Sequence, residues 1–258
     1  MAIPILTLVF ALAGETVLWA VSVRLRDATF IDAFWGAGFV LIAGASAVAT
    51  PPTDARNALL LVLVTIWAAR LGWHLFARWR RMGHEDSRYA AMRAKAGDTF
   101  AGWSLWSIFW VQGAIMWVIS WPLQAAMAAP SVPFGWLDYL GSAIAMGGIV
   151  LETIADIQLA RFMEDPKNRG KVLDTGAWAW SRHPNYFGDA ATWWGLFLIA
   201  LAGSGAWWTV LSPLLMTFLL LRVSGVALTE KDIAARRPGY VDYTKRTNTF
   251  IPRPPKRR

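Results

Sequence analysis

Seven apolar runs punctuate the chain, at roughly 3–23, 30–50, 57–77, 104–127, 134–155, 187–203 and 206–223. Most approach the roughly 20 residues that a helix needs to cross a bilayer. The last two are shorter and joined by "GSGA", so they also read as one helical hairpin. Polar residues concentrate between the runs. This pattern predicts an all-α fold, a seven-helix integral membrane bundle forming a single domain over 1–258, with a tail at 224–258. The first run contains Glu15 and lacks a basic leader and a small-residue cleavage site, so it reads as a span and not as a cleavable signal.

Charge placement tests that count. Under seven crossings, every Lys and Arg except Arg56 falls on one side of the membrane. Basic loops mark the cytoplasmic face, which puts the N-terminus outside and the C-terminus in the cytoplasm, in the inner membrane if the cell is bacterial. The opposite loops, "ATPPTDAR" and "MAAPSVPFG", are short and nearly uncharged.

Composition agrees: 56% of residues are hydrophobic, 17 are Trp and none is Cys. A chain without Cys has no disulfide framework and no thiolate chemistry. The net charge of +8 is accounted for by basic loops facing anionic headgroups. No nucleic-acid motif, internal repeat or second soluble domain is present, so the expected partners are membrane lipids and the protein is expected to be a monomer.

Four polar segments gather on the cytoplasmic side. In "FIDAFWGAG", Asp32 lies just inside the membrane beside Trp35. An acid there is costly unless paired or facing a wet cavity, which makes it a site candidate, although it also suits a helix cap. Glu15 raises the same question in mid-span. In "WAARLGWHLFARWRRMGHEDSRY", Arg70 and His74 share a helix face that Arg78 continues outward, and Asp86, Arg88 and Tyr89 follow in a loop or short interfacial helix.

Glu152 and Asp156 share a face at the inner end of the fifth run, with Arg161 beyond them and Lys171 in the loop. Acids at a helix C-terminus oppose the macrodipole, which argues for a polar partner. "SRHPNYFGD" then presents Arg182, His183, Asn185, Tyr186 and Asp189 where Pro184 can start the next helix. A helix N-terminus beside basic residues suits phosphate. The tail adds Glu230, Arg237, Tyr240 and Tyr243, an aromatic–basic mixture suited to covering an anionic, ring-bearing ligand. His74, His84 and His183 are too far apart in sequence to suggest a metal, and no G-x-G-x-x-G or Walker loop occurs.

"DTGAWAWSRHPNYFGDAATWWG", "RLGWHLFARW" with "EDSRY", and "RRPGYVDYTKRTNTFIPRPP" together make the chain resemble bacterial multi-pass proteins of the steroid 5α-reductase superfamily, over about residues 28–255. The resemblance implies a seven-helix membrane fold whose cytoplasmic loops form an NADPH site. It also implies reduction of a carbon–carbon double bond conjugated to a ketone in a lipid-like enone, as in 3-oxo-Δ4 steroids. Asn185 and Asp189 match the family's N-x-x-G-E stretch, here N-Y-F-G-D. Asp156 matches an acid near the cofactor, and Arg70 and Arg222 match phosphate-binding basics. Asp32 falls near the acid beside the substrate carbonyl. The eukaryotic enzymes pair that acid with a Tyr on the third helix, whereas the corresponding position here is Trp67, which offers one hydrogen bond and no proton at neutral pH.

On this reading Asp32 is the carboxyl that meets the carbonyl oxygen, with Glu15 in reserve and Tyr89 or Tyr186 assisting. Trp35 and Trp67 line the substrate. The cofactor falls to Arg70, His74, Arg78, Asp86, Arg88, Asp156, Arg161, Lys171, Arg182, His183, Asn185, Tyr186, Asp189, Arg222, Glu230, Arg237, Tyr240 and Tyr243. The rival reading is an S-adenosylmethionine-dependent membrane methyltransferase of the isoprenylcysteine or phospholipid type. Those enzymes share an R-H-P-x-Y-x-G stretch, and their tail usually carries a double Glu where this chain has Glu230-Lys231. A non-catalytic lipid-binding membrane protein is the third.

Overall fold

The computed structural model describes residues 2–50, 55–230 and 233–256. Among the described residues the regular structure is helical, apart from one isolated parallel bridge between Ser181 and Asn248. Six helical stretches are long and apolar enough to cross a membrane: Ile3–Leu25, Ile31–Ala49, Ala55–Met82, Ser87–Ile119, Trp136–Glu164 and Trp207–Glu230. This is the pattern of a multi-pass membrane protein. The remaining apolar run forms a helix at Pro184–Ser204, which is not among those six. Its first turns carry Asn185 and Asp189.

The chain divides into two compact units, residues 1–135 with 199–212 and residues 136–198 with 213–258. The first contains α1 (Ala2–Leu25), α2 (Ile31–Ala49), α3 (Ala55–Met82), α4 (Ser87–Ala96), α5 (Phe100–Ser104), α6 (Val111–Ile119) and α7 (Trp121–Met127). The stretch from α4 to α6 shows why the fourth span begins well before the apolar run at 104. Asp86 caps α4 by accepting the Arg88 amide at 2.9 Å, and helical structure continues from there through a π-helical turn at Leu105–Trp110. It stops where Pro122, which has no amide hydrogen, opens the short α7.

Helices α2 and α3 touch backbone to backbone. A β-carbon added at Gly36 would lie 2.7 Å from the Ala68 carbonyl oxygen, so only glycine permits the approach. Trp35 and Trp67 both pack edge-on against Phe39, at 5.4 and 5.5 Å between ring centres. Arg56, near the start of α3, is 2% exposed. Its guanidinium donates to the carbonyls of Val132 and Pro133 at 3.1 and 3.0 Å.

The second unit contains α8 (Trp136–Glu164), α9 (Ala177–Trp180), α10 (Pro184–Ser204, as far as 198), α11 (Leu211–Phe218, from 213), α12 (Val226–Glu230), α13 (Ile233–Arg236) and α14 (Tyr240–Arg246). Small residues set the crossing of α8 and α10. A β-carbon at Gly188 would meet the Glu152 amide nitrogen and the Gly148 carbonyl oxygen, each at 2.7 Å. In the loop between those helices, Trp178 packs with Ala155 and Leu173 and donates its indole N–H to the Ala155 carbonyl at 3.1 Å. The tail folds back on the segment before α10. Arg182 donates its amide to Asn248 at 2.8 Å, and Arg253 donates to Trp180 at 3.0 Å.

Candidate functional site

In the first unit the site grows from the start of α2. Asp32 sits in the first turn of that helix but does not cap it, since the N-terminus has no side-chain cap. Both carboxylate oxygens face α4 instead. Oδ1 accepts from the Tyr89 hydroxyl at 2.8 Å, and Oδ2 accepts from Arg88 Nη2 at 2.9 Å.

Arg88 bridges two acids, because its Nε also donates to Asp86 Oδ1 at 2.9 Å. Arg78 lies 3.6 Å from the other Asp86 oxygen. Burial alone raises the Asp86 pKa, but hydrogen bonds from the Arg88 side chain and amide outweigh it and hold the carboxyl below its ordinary value. The Asp86 amide in turn donates to Thr29 Oγ1 at 2.7 Å, which ties the cluster to the loop before α2.

Glu85 went unnamed in the sequence reading although it stands in "EDSRY". It accepts two bonds from Arg93, at 2.8 and 2.9 Å, and one from the Ala28 amide at 2.9 Å. Its place next to Asp86 was the available signal. Arg70 and His74 are half-buried on α3. Glu15 has no bond to this cluster; it is 3% exposed and lines its own cavity on α1.

In the second unit the stretch before α10 meets the tail. Arg182 grips the Glu230 carboxylate with two donors, Nε at 2.9 Å and Nη2 at 3.2 Å. Its remaining capacity goes to the carbonyls of Thr244 and Thr247 at 3.3 and 3.1 Å and to the Thr249 hydroxyl at 2.8 Å. His183 Nε2 lies 2.9 Å from Glu230 Oε1, and the Tyr240 hydroxyl donates to the same oxygen at 2.8 Å.

Burial opposes charge on Arg182, but Glu230 outweighs it and raises the guanidinium pKa. Burial, then the bond to Glu230, pushes the Tyr240 phenol up as well. Tyr243 donates to the carbonyls of Trp178 and Ser181, and burial raises its pKa too. The His183 and Tyr186 rings stack at 5.5 Å.

Two further predicted residues meet nearby in this unit. Asn185 Nδ2 donates to Asp156 Oδ1 at 3.0 Å, while Asn185 Oδ1 is buried with no hydrogen-bond partner. Asp189 is buried, and Arg161, Lys171 and Arg222 are exposed. Arg237 donates to the Lys171 carbonyl at 2.9 Å. Arg182 was expected to meet phosphate, yet all its donors are engaged within the protein. Lys231 lies outside the described residues.

The fold and these clusters define a helical multi-pass membrane protein with two networks of acids, arginines and phenols. The chain belongs to the DUF1295 family, whose model, described as "Protein of unknown function (DUF1295)", matches residues 18–247. It is also similar to the uncharacterized protein C594.04c of Schizosaccharomyces pombe, with 26% identity over 272 residues that cover 92% of this chain and 76% of that protein. No solved structure matches.

Proposed function

We propose that the protein is an NADPH-dependent membrane reductase of carbon–carbon double bonds conjugated to a ketone, within the steroid 5α-reductase superfamily. The observation that carries this reading is the Asp32 carboxylate held by a phenol and a guanidinium together, at 2.8 and 2.9 Å. Reduction of an enone builds negative charge on the carbonyl oxygen, and pre-arranged donors at that oxygen are the most effective catalysts of such a step. Tyr89 takes the part of the Tyr that Trp67 cannot play. With Asp32 protonated, the 2.8 Å contact runs the other way: the carboxyl donates to the Tyr89 oxygen and frees the phenol's proton for the substrate carbonyl, while Arg88 keeps positive charge beside the pair.

NADPH, when bound, would supply the hydride for the β-carbon of the enone, and a proton from solvent at the α-carbon would complete the saturated ketone. The second unit offers residues that fit such a cofactor. The buried Asn185 oxygen is an acceptor without a donor, suited to a carboxamide or ribose hydroxyl. Exposed Arg161, Lys171 and Arg222 suit phosphates. Arg182 instead anchors the tail. We further propose that α10 is the seventh crossing, since its 21 residues span about 31 Å at 1.5 Å per residue. The excess of Lys and Arg on one side then orients the C-terminus to the cytoplasm.

The Arg182–His183–Glu230 network favours the methyltransferase as second reading, because it ties the R-H-P-x-Y-x-G stretch to the tail acid without leaving Arg182 for phosphate. Thermal-shift titration of the detergent-purified protein with NADPH, NADH and S-adenosylmethionine separates the two. Stabilisation by NADPH, followed by its oxidation in the presence of a 3-oxo-Δ4 steroid, is expected. Stabilisation by S-adenosylmethionine alone would overturn the reductase reading.

A further inference from the structure

We propose that the cavity beside Glu15 binds an apolar molecule through a hydroxyl group. This rests on the membrane character of α1 and does not depend on the reductase reading. The cavity measures about 290 Å³ and is walled by α1, α2 and α6, through Phe10, Gly14, Phe34, Gly38 and Met116 among others. Among the described residues that line it, Glu15 is the only polar one. That side chain is 3% exposed, and its Oε2 is fully buried with no hydrogen-bond partner.

The contrast with the rest of α1 decides the matter. Thr7 donates to Gln124 at 2.8 Å, Thr16 to the Leu12 carbonyl at 2.7 Å, and the Trp19 indole to Ala101 at 2.8 Å. Each of these groups has found a protein partner, as buried polar groups do. Glu15 has been left facing an apolar space. An unmatched polar atom inside a membrane helix is costly and marks a ligand path or site. Glycine at 113 lets α6 pack closely on the Glu15 side chain, because a β-carbon there would come within 3.0 Å of Glu15 Cγ.

Chemistry selects the ligand group. A carboxyl accepts hydrogen bonds in either protonation state and donates one only when neutral, whereas a hydroxyl both donates and accepts. A hydroxyl is therefore matched in both states, a ketone in only one. An anion is repelled by a charged Glu15, and a cation paired with it loses its hydration among walls that offer its remaining protons no acceptor. The rest of the ligand must be hydrocarbon, and it reaches the cavity from the bilayer. Two sources share this chemistry: a membrane lipid with a free hydroxyl, or a free polycyclic alcohol.

The full-length protein in phosphatidylcholine nanodiscs provides the test, with decahydro-2-naphthol and its parent hydrocarbon as probes and the unfolding midpoint as readout. The alcohol is expected to raise Tm by about 2 °C or more beyond the hydrocarbon, since a ligand selective for the folded state stabilises it. Glu15→Gln keeps a donor and an acceptor and should retain the preference. Glu15→Leu should abolish it.

A β-carbon added at Gly14 meets nothing within 4 Å and the position lines the cavity, so Gly14→Leu should take up cavity space and abolish binding of both probes. Equal shifts by the two probes in the wild type, or an alcohol preference that survives Glu15→Leu, would overturn the proposal. Mass spectrometry of organic extracts from wild type and Gly14→Leu then distinguishes the sources. A diacylglycerol-type lipid depleted in the variant assigns the bilayer, and a depleted polycyclic alcohol assigns a free molecule. Identical extracts count against the site.

Discussion

Tyr89 donates its hydroxyl to Asp32 at 2.8 Å across 57 residues of sequence. The bond joins the first turn of one membrane-crossing helix to the first turns of another, and Arg88 closes the same carboxylate from its other side. An acid at this position would otherwise be a liability. Held this way, carboxyl and phenol form a fixed constellation beside the Arg88 guanidinium, able to place one proton at a developing oxyanion.

Removing the phenol tests that constellation directly. Tyr89→Phe keeps the ring among Ala28, Ile31 and Phe100, so the fold should survive with a loss of about 1–2 kcal/mol for one charge-assisted bond. Enone-dependent NADPH oxidation should fall by about 100-fold or more, the usual worth of a positioned donor. Thermal unfolding and initial rates, measured on one preparation, separate the two effects. Full activity in Tyr89→Phe would remove Tyr89 from the mechanism.

Arg182 is expected to act as an anchor. Arg182→Lys leaves one ammonium where a planar fork now serves Glu230, two carbonyls and a hydroxyl. The cost should be about 1–3 kcal/mol, and the segment from 240 to 256 should become sensitive to limited proteolysis. Unchanged cleavage of the tail would show that the contact is dispensable.

Helix spacing in the second unit depends on Gly188. Gly188→Ala places a methyl 2.7 Å from backbone atoms on α8, where no flexible side chain can yield, so a loss of about 1–3 kcal/mol is expected. Gly14→Ala meets open space and should leave Tm nearly unchanged. Comparable Tm values for the two variants would contradict the close crossing.

Acid should loosen the first unit before it affects the apolar helices. Asp86 is held below its ordinary pKa because bonds from Arg88 outweigh burial, and Asp27 because bonds from Trp79 and Thr29 do. A carboxyl with a depressed folded-state pKa stabilises fully above its unfolded value of about 3.9 and loses that contribution as pH falls through the folded value. Tm should therefore be flat between about pH 5 and 7 and fall below about pH 4. Asp86→Asn should flatten part of that fall; an identical acid profile would show that Asp86 contributes nothing to it.

The sequence by itself determined the helical, membrane-crossing class and the regions where polar chemistry gathers. Hydrophobic length and charge placement are local properties, readable without knowing which helix touches which. "EDSRY" and "SRHPNYFGD" stand out for the same reason. Partner choice is a property of helix packing, and only the tertiary structure decided it. Asp32 read equally well as a cap, until α4 brought Tyr89 and Arg88 to its two oxygens. Arg182 read as a phosphate ligand, until the tail returned with Glu230. The start of the fourth span moved from 104 back to Ser87 because Asp86, itself charged, nucleates a helix that hydropathy alone does not register. Glu15 shows the other side of the rule: packing gives Thr7 and Trp19 partners on neighbouring helices yet leaves Glu15 Oε2 without one, which no pattern along a single chain can reveal.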